Sequence, residues 1–349
     1  MFVPAPIRLR PTRFDEVVGQ EANVQILKNA LKYGGIASSY AFHGPPGVGK
    51  TTVARILAAA LNCRVADKPC VVCDSCQDVA TGRSELVMEV DAASDRGVAM
   101  VENLQQISRI QVPEARCRVF ILDEAHQLSS KAWAAFLKVI EEPPEHNVFI
   151  FVTSDLTAMP KAVRGRSSIF TFRPIPHSQI EAVLSTYDYG RPIPDGIFTF
   201  IASVAAGSLR DALKLTEQAL LLEDLTLANV QAMLGLDYTA VRRLAAGLTG
   251  GRLDILLDAL TYAESIGMVY EEIADMLLGI ARDILLVHEG CGGPAVSGLE
   301  AEEVKTYAAR ISHETAWRLL HFTGGLVERR RPIRRRIDIE LAYMKYLFM

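Results

Sequence analysis

The sequence predicts a protein of three domains, in which an α/β domain with a parallel sheet and helices on both faces precedes two all-α domains. Through the first half of the 349 residues, short apolar runs alternate with helical patterns, as in a sheet covered by helices. Four prolines between positions 174 and 194 mark a change of character, and beyond them Ala and Leu recur at helical spacing. We therefore expect the α/β domain at residues 1–175, a small helical domain at 176–238 and a second helical domain at 239–349.

Five segments of the first domain are predicted strands. Cys117–Asp123 and Asn147–Ser154 are near-continuous apolar runs, which are typical of parallel strands buried on both faces. Ser39–His43 and Leu86–Val90 are shorter candidates, and Ser168–Phe172 has the weakest pattern. Because helical patterns separate these runs, the strands are expected to form a parallel sheet.

The loop after the first predicted strand is rich in glycine and fits the phosphate-binding (P-loop) pattern G-x-x-x-x-G-K-[ST]. Its backbone N–H groups are expected to cradle phosphate oxygens, and the following helix directs its positive end at the anion. The Lys50 ammonium should reach the β- and γ-phosphates, and the Thr51 hydroxyl should bind Mg²⁺. The segment therefore predicts an ATP site made by Gly44, Pro45, Pro46, Gly47, Val48, Gly49, Lys50, Thr51 and Thr52. The alternative, a chance glycine-rich turn, is disfavoured by the strand before it and the helix after it.

Two acidic residues end the third predicted strand. Asp123 is expected to hold magnesium through its water shell, and Glu124 to act as a base or to orient the water that attacks the γ-phosphate. A purely structural pair of acids would be costly at a buried strand end without a cation between them. The string Asp-Glu-Ala-His also occurs in helicases, but no further helicase-like pattern follows it.

Four cysteines lie within fourteen residues, directly after the predicted P-loop helix: Cys63, Cys70, Cys73 and Cys76. Four closely spaced thiolates suit tetrahedral Zn²⁺, and we expect a structural zinc knuckle. An iron–sulfur cluster and four unrelated thiols are the alternatives. The two other cysteines, Cys117 and Cys291, are expected to have no function.

Composition excludes some classes of protein. A net charge of −4 at neutral pH argues against a protein that coats nucleic acid over its whole surface. The N-terminal residues carry prolines and arginines without an apolar core, so no secretory signal is expected. Because no run of about eighteen apolar residues occurs, no membrane association is expected either.

Taken in chain order, these features resemble the clamp-loader branch of the AAA+ ATPases, and within it the gamma/tau family of bacterial DNA polymerase III. Further segments that carry the resemblance are Arg10–Gln20, Leu137–His146 and Gly207–Leu213. The cysteine knuckle after the P-loop helix is the most discriminating feature. The resemblance implies an α/β P-loop AAA+ ATPase domain, a helical lid and a helical collar, in a short, gamma-like form that acts in the bacterial cytoplasm near the nucleoid.

The resemblance also implies roles for single residues. The N-terminal motif would lie against the adenine, Arg210 would be the second sensor of the γ-phosphate, and either Thr153 or Ser154 the first. Arg166 would be the arginine finger that acts on the ATP of a neighbouring subunit, with Arg164 as a nearby competitor. The adenine-side residues are Arg10, Pro11, Val17 and Val18.

Two positions depart from the family pattern. Gly165-Arg166-Ser167 stands where the family has Ser-Arg-Cys, so the arginine is kept and its flanks differ. Pro45-Pro46 stands where close relatives more often carry Thr-Arg.

By this resemblance, the chain is expected to load a ring-shaped sliding clamp onto primed DNA, driven by ATP. It would do so in a hetero-pentameric ring with other clamp-loader subunits, and a neighbour would complete hydrolysis. The candidates for contact with the backbone of primer-template DNA are Arg96, Lys131, Lys138 and the basic run 329–336. A non-hydrolysing scaffold subunit and a branch-migration or helicase-loading AAA+ ATPase are the alternatives.

Overall fold

In the computed structural model of the chain, the structure describes residues 3–65, 68–111, 117–234, 238–291, 296–299, 301–327 and 336–348. The chain divides into two compact units, Met1–Glu223 and Asp224–Met349. The first unit holds the sheet, and the described part of the second is helical. The finer division into 1–175, 176–238 and 239–349 stays a prediction.

A five-stranded parallel sheet forms the centre of the first unit, with strand order β2-β3-β4-β1-β5. All five predicted strands are present and their ends shift by at most one residue, which confirms the predicted fold class. The strands are β1 Ser39–His43, β2 Val87–Asp91, β3 Arg118–Asp123, β4 Asn147–Thr153 and β5 Ser168–Thr171.

The two inner strands β3 and β4 are buried on both faces of the sheet. Val119 and Ile121 pack into the apolar cluster on one face, whereas Phe120 packs into the cluster on the other. The ring of Phe120 stacks on that of Phe149, its partner in the strand register, with centroids 4.9 Å apart. Since successive side chains point to opposite faces, burial of both faces requires an unbroken apolar run.

Helices cover the sheet and continue into the end of the first unit. Two of them begin with a serine that caps the first turn, because Ser129 Oγ accepts from the Ala132 N–H and Ser208 Oγ from that of Asp211. The helices are α1 Ala5–Arg8, α2 Glu21–Tyr33, α3 Lys50–Asn62, α4 Asp74–Thr81, α5 Val98–Ser108, α6 Ser130–Glu141, α7 Lys161–Arg164, α8 His177–Ser185, α9 Ile197–Val204 and α10 Leu209–Ala219.

The second unit packs its helices around α14. Tyr343 is fully buried and donates to the Gly247 carbonyl at 2.8 Å, which anchors the last helix. Arg336 pairs with Glu264 at 3.0 Å and with Glu340, so it meets acids of its own unit. The rest of the basic run, residues 329–335, lies outside the described residues. The helices are α11 Leu227–Met233, α12 Tyr238–Thr249, α13 Leu253–Ser265, α14 Tyr270–His288, α15 Ala301–Ala308, α16 His313–Val327 and α17 Arg336–Phe348.

Within the described ranges, none of the helices combines the length and the apolar composition that a membrane crossing requires.

Candidate nucleotide site and zinc knuckle

The P-loop turns tightly between β1 and α3, and two of its glycines have no room for a side chain. A Cβ on Gly44, where φ is +149°, would lie 2.2 Å from the Phe172 carbonyl oxygen. A Cβ on Gly47, where φ is +76°, would lie 1.9 Å from Ser208 Oγ and 3.4 Å from the Cβ of Arg210. The N-terminus of α10 is therefore packed directly against the P-loop. Only glycine fits both the backbone conformation and the close approach.

Lys50 is held across the loop. Its Nζ donates to the carbonyls of Gly44 and Pro45, each at 2.7 Å. Burial is the main cause that lowers its pKa, while Glu124 and Asp123 oppose the shift. An ammonium that is already desolvated attracts a phosphate more strongly than one in bulk water. The loop therefore presents a fixed positive charge beside its glycines.

The predicted magnesium ligands lie side by side. Thr51 Oγ1 donates to Asp123 Oδ2 at 2.9 Å, and Asp123 Oδ1 accepts the N–H of Glu124 at 2.9 Å. Since Asp123 ends β3 and Thr51 lies in the first turn of α3, the parallel sheet brings the two together at the edge where its strands end. A hydroxyl and a carboxylate are hard oxygen ligands of the kind Mg²⁺ prefers. The pair thus fits the ion.

Most of the predicted nucleotide-binding residues line one pocket. Gly44 and Pro45 do not line it, but their carbonyls accept hydrogen bonds from Lys50, which does. The predicted residues that line it are Arg10, Pro11, Val17, Val18, Pro46, Gly47, Val48, Gly49, Lys50, Thr51, Thr52, Asp123, Glu124 and Arg210. Sequence reasoning missed the apolar lining supplied by Pro6, Leu9, Ile175, Leu209 and Leu213. The positions of Leu209 and Leu213, four apart on α10 and adjacent to Arg210, could have indicated them.

Both basic and acidic side chains line this pocket. Burial lowers the pKa of Arg10, with Arg55 next in effect and Arg210 also lowering it. Arg10, Lys50 and Arg210 together face the carboxylates of Asp123 and Glu124. The lining therefore offers charged groups for a polyphosphate and apolar side chains for a flat base.

The N-terminal motif is fixed to the P-loop by its last residue. Gln20 is buried, and its Nε2 donates to the Arg173 carbonyl at 2.8 Å and to the Val48 carbonyl at 3.5 Å. One amide thus joins the motif, the P-loop and the segment after β5.

The two first-sensor candidates lie beside a histidine and not in the pocket lining. His126 Nδ1 is 3.4 Å from Thr153 Oγ1, 3.5 Å from Ser154 Oγ and 3.3 Å from Glu124 Oε2. Glu124 itself has a left-handed backbone with φ +50°. One imidazole nitrogen therefore links the proposed base to both hydroxyls. No motif in the sequence assigns His126 a role.

The predicted arginine finger lies away from this pocket. Arg166 is exposed, and its guanidinium pairs with Glu141 at 2.9 Å and donates to the Ala162 carbonyl at 3.1 Å. Its competitor Arg164 is half-buried, with a buried Nε that has no hydrogen-bond partner among the described residues. Of the two, Arg166 is the one that presents its charged group to the surface.

The four predicted zinc ligands converge. Their sulfur atoms all lie within 4.8 Å of one another, and three of the four residues are buried. Zn–S bonds of about 2.3 Å in a tetrahedron place sulfurs roughly 3.8 Å apart, so the observed spacing is compatible with the ion. The backbone N–H groups of Cys73 and Val72 are the main cause that lowers the pKa of Cys70 to about 6, which favours the thiolate. Cys117 and Cys291 lie outside the cluster.

The knuckle is built onto the P-loop helix. Cys63 directly follows α3 and Cys76 lies on α4, which packs against α3. The Arg13 guanidinium also donates to the Cys70 carbonyl at 3.2 Å, so the N-terminal motif touches the knuckle.

Comparison with known proteins finds sequence relatives among subunits of DNA polymerase III. The family model described as DNA polymerase III, delta subunit, matches residues 19–176. The DNA polymerase III subunit tau of Bacillus subtilis is 38% identical over 215 residues, which is 60% of this chain and 38% of the relative. The subunit tau of Escherichia coli is 34% identical over 287 residues, which is 80% of this chain and 44% of the relative.

This chain is similar to the gamma/tau subunits of bacterial DNA polymerase III. The gamma/tau subunit of Mycobacterium tuberculosis strain H37Rv is 39% identical over 219 residues, which is 61% of this chain and 38% of that protein. The gamma/tau-like chain spans less than half the length of these relatives. Among solved structures, a RuvB branch-migration motor of Thermotoga maritima is 18% identical, with a TM-score of 0.45 over 97% of this chain and 98% of the motor. Similarity at that level supports no functional argument.

Proposed function

We propose that the gamma/tau-like chain is an ATP-hydrolysing motor subunit of a clamp loader, which places a ring-shaped sliding clamp on primed DNA. It would work in a hetero-pentameric ring with other clamp-loader subunits, in the bacterial cytoplasm at the nucleoid. The observation that carries the proposal is the pocket in which Lys50, Thr51, Asp123 and Arg210 meet, in a chain whose relatives include DNA polymerase III subunits.

Binding of the substrate follows from the P-loop. Backbone N–H groups of Gly47–Thr51 would surround the phosphates, since Pro45 and Pro46 have none, and Lys50 would neutralise the β- and γ-phosphates. Thr51 and Asp123 would hold Mg²⁺, which supplies charge neutralisation at the phosphoryl group when bound. The apolar lining, with Arg10 and Val18 of the N-terminal motif, would take the adenine end.

Hydrolysis needs a positioned water and more positive charge at the γ-phosphate. Glu124 would orient the attacking water and accept its proton, and Thr153 or Ser154 would fix the geometry near the same atoms. Arg210 would reach the γ-phosphate from α10 of the same chain. Arg166 would supply the last positive charge to a neighbour's ATP, which is worth roughly 10³–10⁵ in rate.

The remaining predicted sites support assembly and not chemistry. Cys63, Cys70, Cys73 and Cys76 would hold a structural Zn²⁺ that cross-links the segment after α3. Arg96, Lys131 and Lys138 are exposed in the first unit and would contact DNA phosphates. Helices of the C-terminal unit would form the collar between subunits.

The experiment that tests the proposal reconstitutes the chain with its clamp, partner subunits and primed DNA. Clamp and primed DNA should together raise ATP turnover, and Lys50→Ala should abolish nucleotide binding, turnover and clamp loading. If the Lys50→Ala chain loaded clamps at the normal rate, the non-hydrolysing scaffold role would replace this proposal.

A further inference from the structure

The guanidinium of Arg166 is occupied within its own chain. One terminal nitrogen pairs with Glu141 Oε1 at 2.9 Å, and the other donates to the Ala162 carbonyl at 3.1 Å. The side chains of Arg166 and Glu141 are 45% and 48% exposed, so both stand at the surface and can exchange partners. The pair joins the end of α6 to the loop after α7.

The position of Glu141 is electrostatically unfavourable without a cation. Glu141 is the last residue of α6, where the negative end of the helix dipole repels a carboxylate. Arg166 supplies the opposite charge at that point. Each residue of the pair therefore stabilises the other. The charge of Arg166 offsets the repulsion of Glu141 by the helix dipole, and Glu141 keeps the guanidinium of Arg166 in place.

Catalysis in trans competes with this pair. Both terminal nitrogens of the guanidinium already bond within the chain, to Glu141 and Ala162, and a bidentate contact with a phosphate needs the same nitrogens. To bind the γ-phosphate on an adjacent subunit in this way, Arg166 exchanges the carboxylate for a phosphate. Both partners are anionic, so they compete for the same cation.

Resting on the proposed function of Arg166, we infer that Glu141 is a positioning residue, which holds the finger on its own subunit until a neighbouring ATP competes for it. The ion pair reduces the fraction of chains in which the Arg166 guanidinium is free. Removing the Glu141 carboxylate should therefore make Arg166 available to the neighbouring ATP more often. For a half-exposed pair the expected gain is about 1.4- to 5-fold.

The test separates the subunit that gives the finger from the subunit that uses it. A Lys50→Ala chain donates Arg166 but cannot turn over ATP, and an Arg166→Ala chain binds ATP but has no finger. The two are mixed with partner subunits, clamp and primed DNA at limiting donor, and ATP turnover is measured. Glu141→Gln is then added to the donor, with Glu142→Gln as matched control, since Glu142 is exposed and has no ion pair in the described part of the chain.

We expect the Glu141→Gln donor to give about 1.4- to 5-fold more turnover than the Glu142→Gln donor. The ratio should shrink as ionic strength rises from about 0.05 to about 0.3 M, because salt screens exposed pairs. Glu141→Gln placed in the Arg166→Ala acceptor should change nothing, because its arginine partner is absent there. A merely structural role of Glu141 would give neither result.

Equal turnover with the two donors would overturn the inference, and so would lower turnover with Glu141→Gln, which would mean that the carboxylate helps the finger. If the Lys50→Ala donor restored no turnover at all to the acceptor, the proposed chemistry in trans would fail first. That outcome is distinguishable, because it does not depend on residue 141.

Discussion

Two surfaces of the first unit differ in how complete they are. The nucleotide pocket is assembled within one chain, where the P-loop, the end of β3 and the start of α10 bring Lys50, Asp123 and Arg210 together. Arg166 lies outside that pocket, paired with Glu141. Under the proposed function, binding and turnover would therefore be separable, since one chain would hold the binding groups while a neighbour would bring the remaining charge.

The largest loss of ATP turnover should come from a change at Arg166, outside the pocket. In the reconstituted complex, Arg166→Ala should lower DNA-stimulated turnover by roughly 10³- to 10⁵-fold, with nucleotide affinity unchanged. Phosphate release measures the turnover, and titration with a fluorescent nucleotide measures the affinity. Arg164→Ala is the comparison, and the distinction between the arginines breaks down if it is the variant that loses turnover.

The cysteine knuckle lies in neither the nucleotide pocket nor the surface that carries Arg166, so it serves as a third region for comparison. Cys73→Ser should reduce bound zinc from about one ion per chain to nearly none, and it should lower the melting temperature, because metal binding contributes directly to folding. Nucleotide affinity should persist, since none of the four cysteines lines the pocket. Elemental analysis, thermal unfolding and nucleotide titration give the three readouts.

Cys117→Ser is the matched control for this change, because that thiol lies outside the cluster. It should keep its zinc. Normal zinc content in Cys73→Ser would contradict the four-ligand site.

A smaller effect, on the free energy of unfolding, should come from a change in the P-loop of the nucleotide pocket. Gly47→Ala places a methyl group 1.9 Å from Ser208 Oγ at a residue with φ +76°, so it adds a clash to backbone strain. Gly190→Ala has nearly the same strain, φ +70°, with nothing within 4 Å. Both should lose about 1 kcal/mol of unfolding free energy from strain, and Gly47→Ala about 1–3 kcal/mol more from overpacking.

Denaturant unfolding measures this difference, and nucleotide titration should show lost affinity in Gly47→Ala alone. Equal losses of stability in the two variants would mean that α10 does not pack on the P-loop as described.

The smallest effect concerns the histidine between the sensor hydroxyls and the proposed base. His126→Ala should lower turnover by at most about tenfold. Its three contacts of 3.3–3.5 Å are long and share one ring nitrogen, which can make only one good hydrogen bond at a time, worth about 1 kcal/mol. Steady-state turnover in the reconstituted complex measures it. No loss of turnover would remove His126 from the account.

The sequence was a good guide wherever a feature is local. Continuous burial forces a continuous apolar run, so β3 and β4 could be predicted to within one residue of their ends. The P-loop and the cysteine knuckle are likewise fixed by short spacings, and their groups converge as the spacing predicts.

Contacts between distant segments could not be predicted in this way. The pairing of Arg166 with Glu141 depends on how α6 packs near α7, which no spacing encodes. The apolar lining by Leu9 and Leu213 is a different case, because each lies within three residues of a predicted site residue and a local signal existed. Thr153 and Ser154 were placed correctly at a strand end, but their shared neighbour His126 comes from the turn after β3.

The most direct test of divided chemistry compares ATP turnover per chain at increasing dilution with turnover in the complex that contains partner subunits, clamp and primed DNA. The account predicts that the dilute monomeric chain binds nucleotide but turns it over slowly, and that assembly on DNA raises the rate per bound nucleotide. Full turnover by an isolated monomer, unchanged by clamp and DNA, would contradict it.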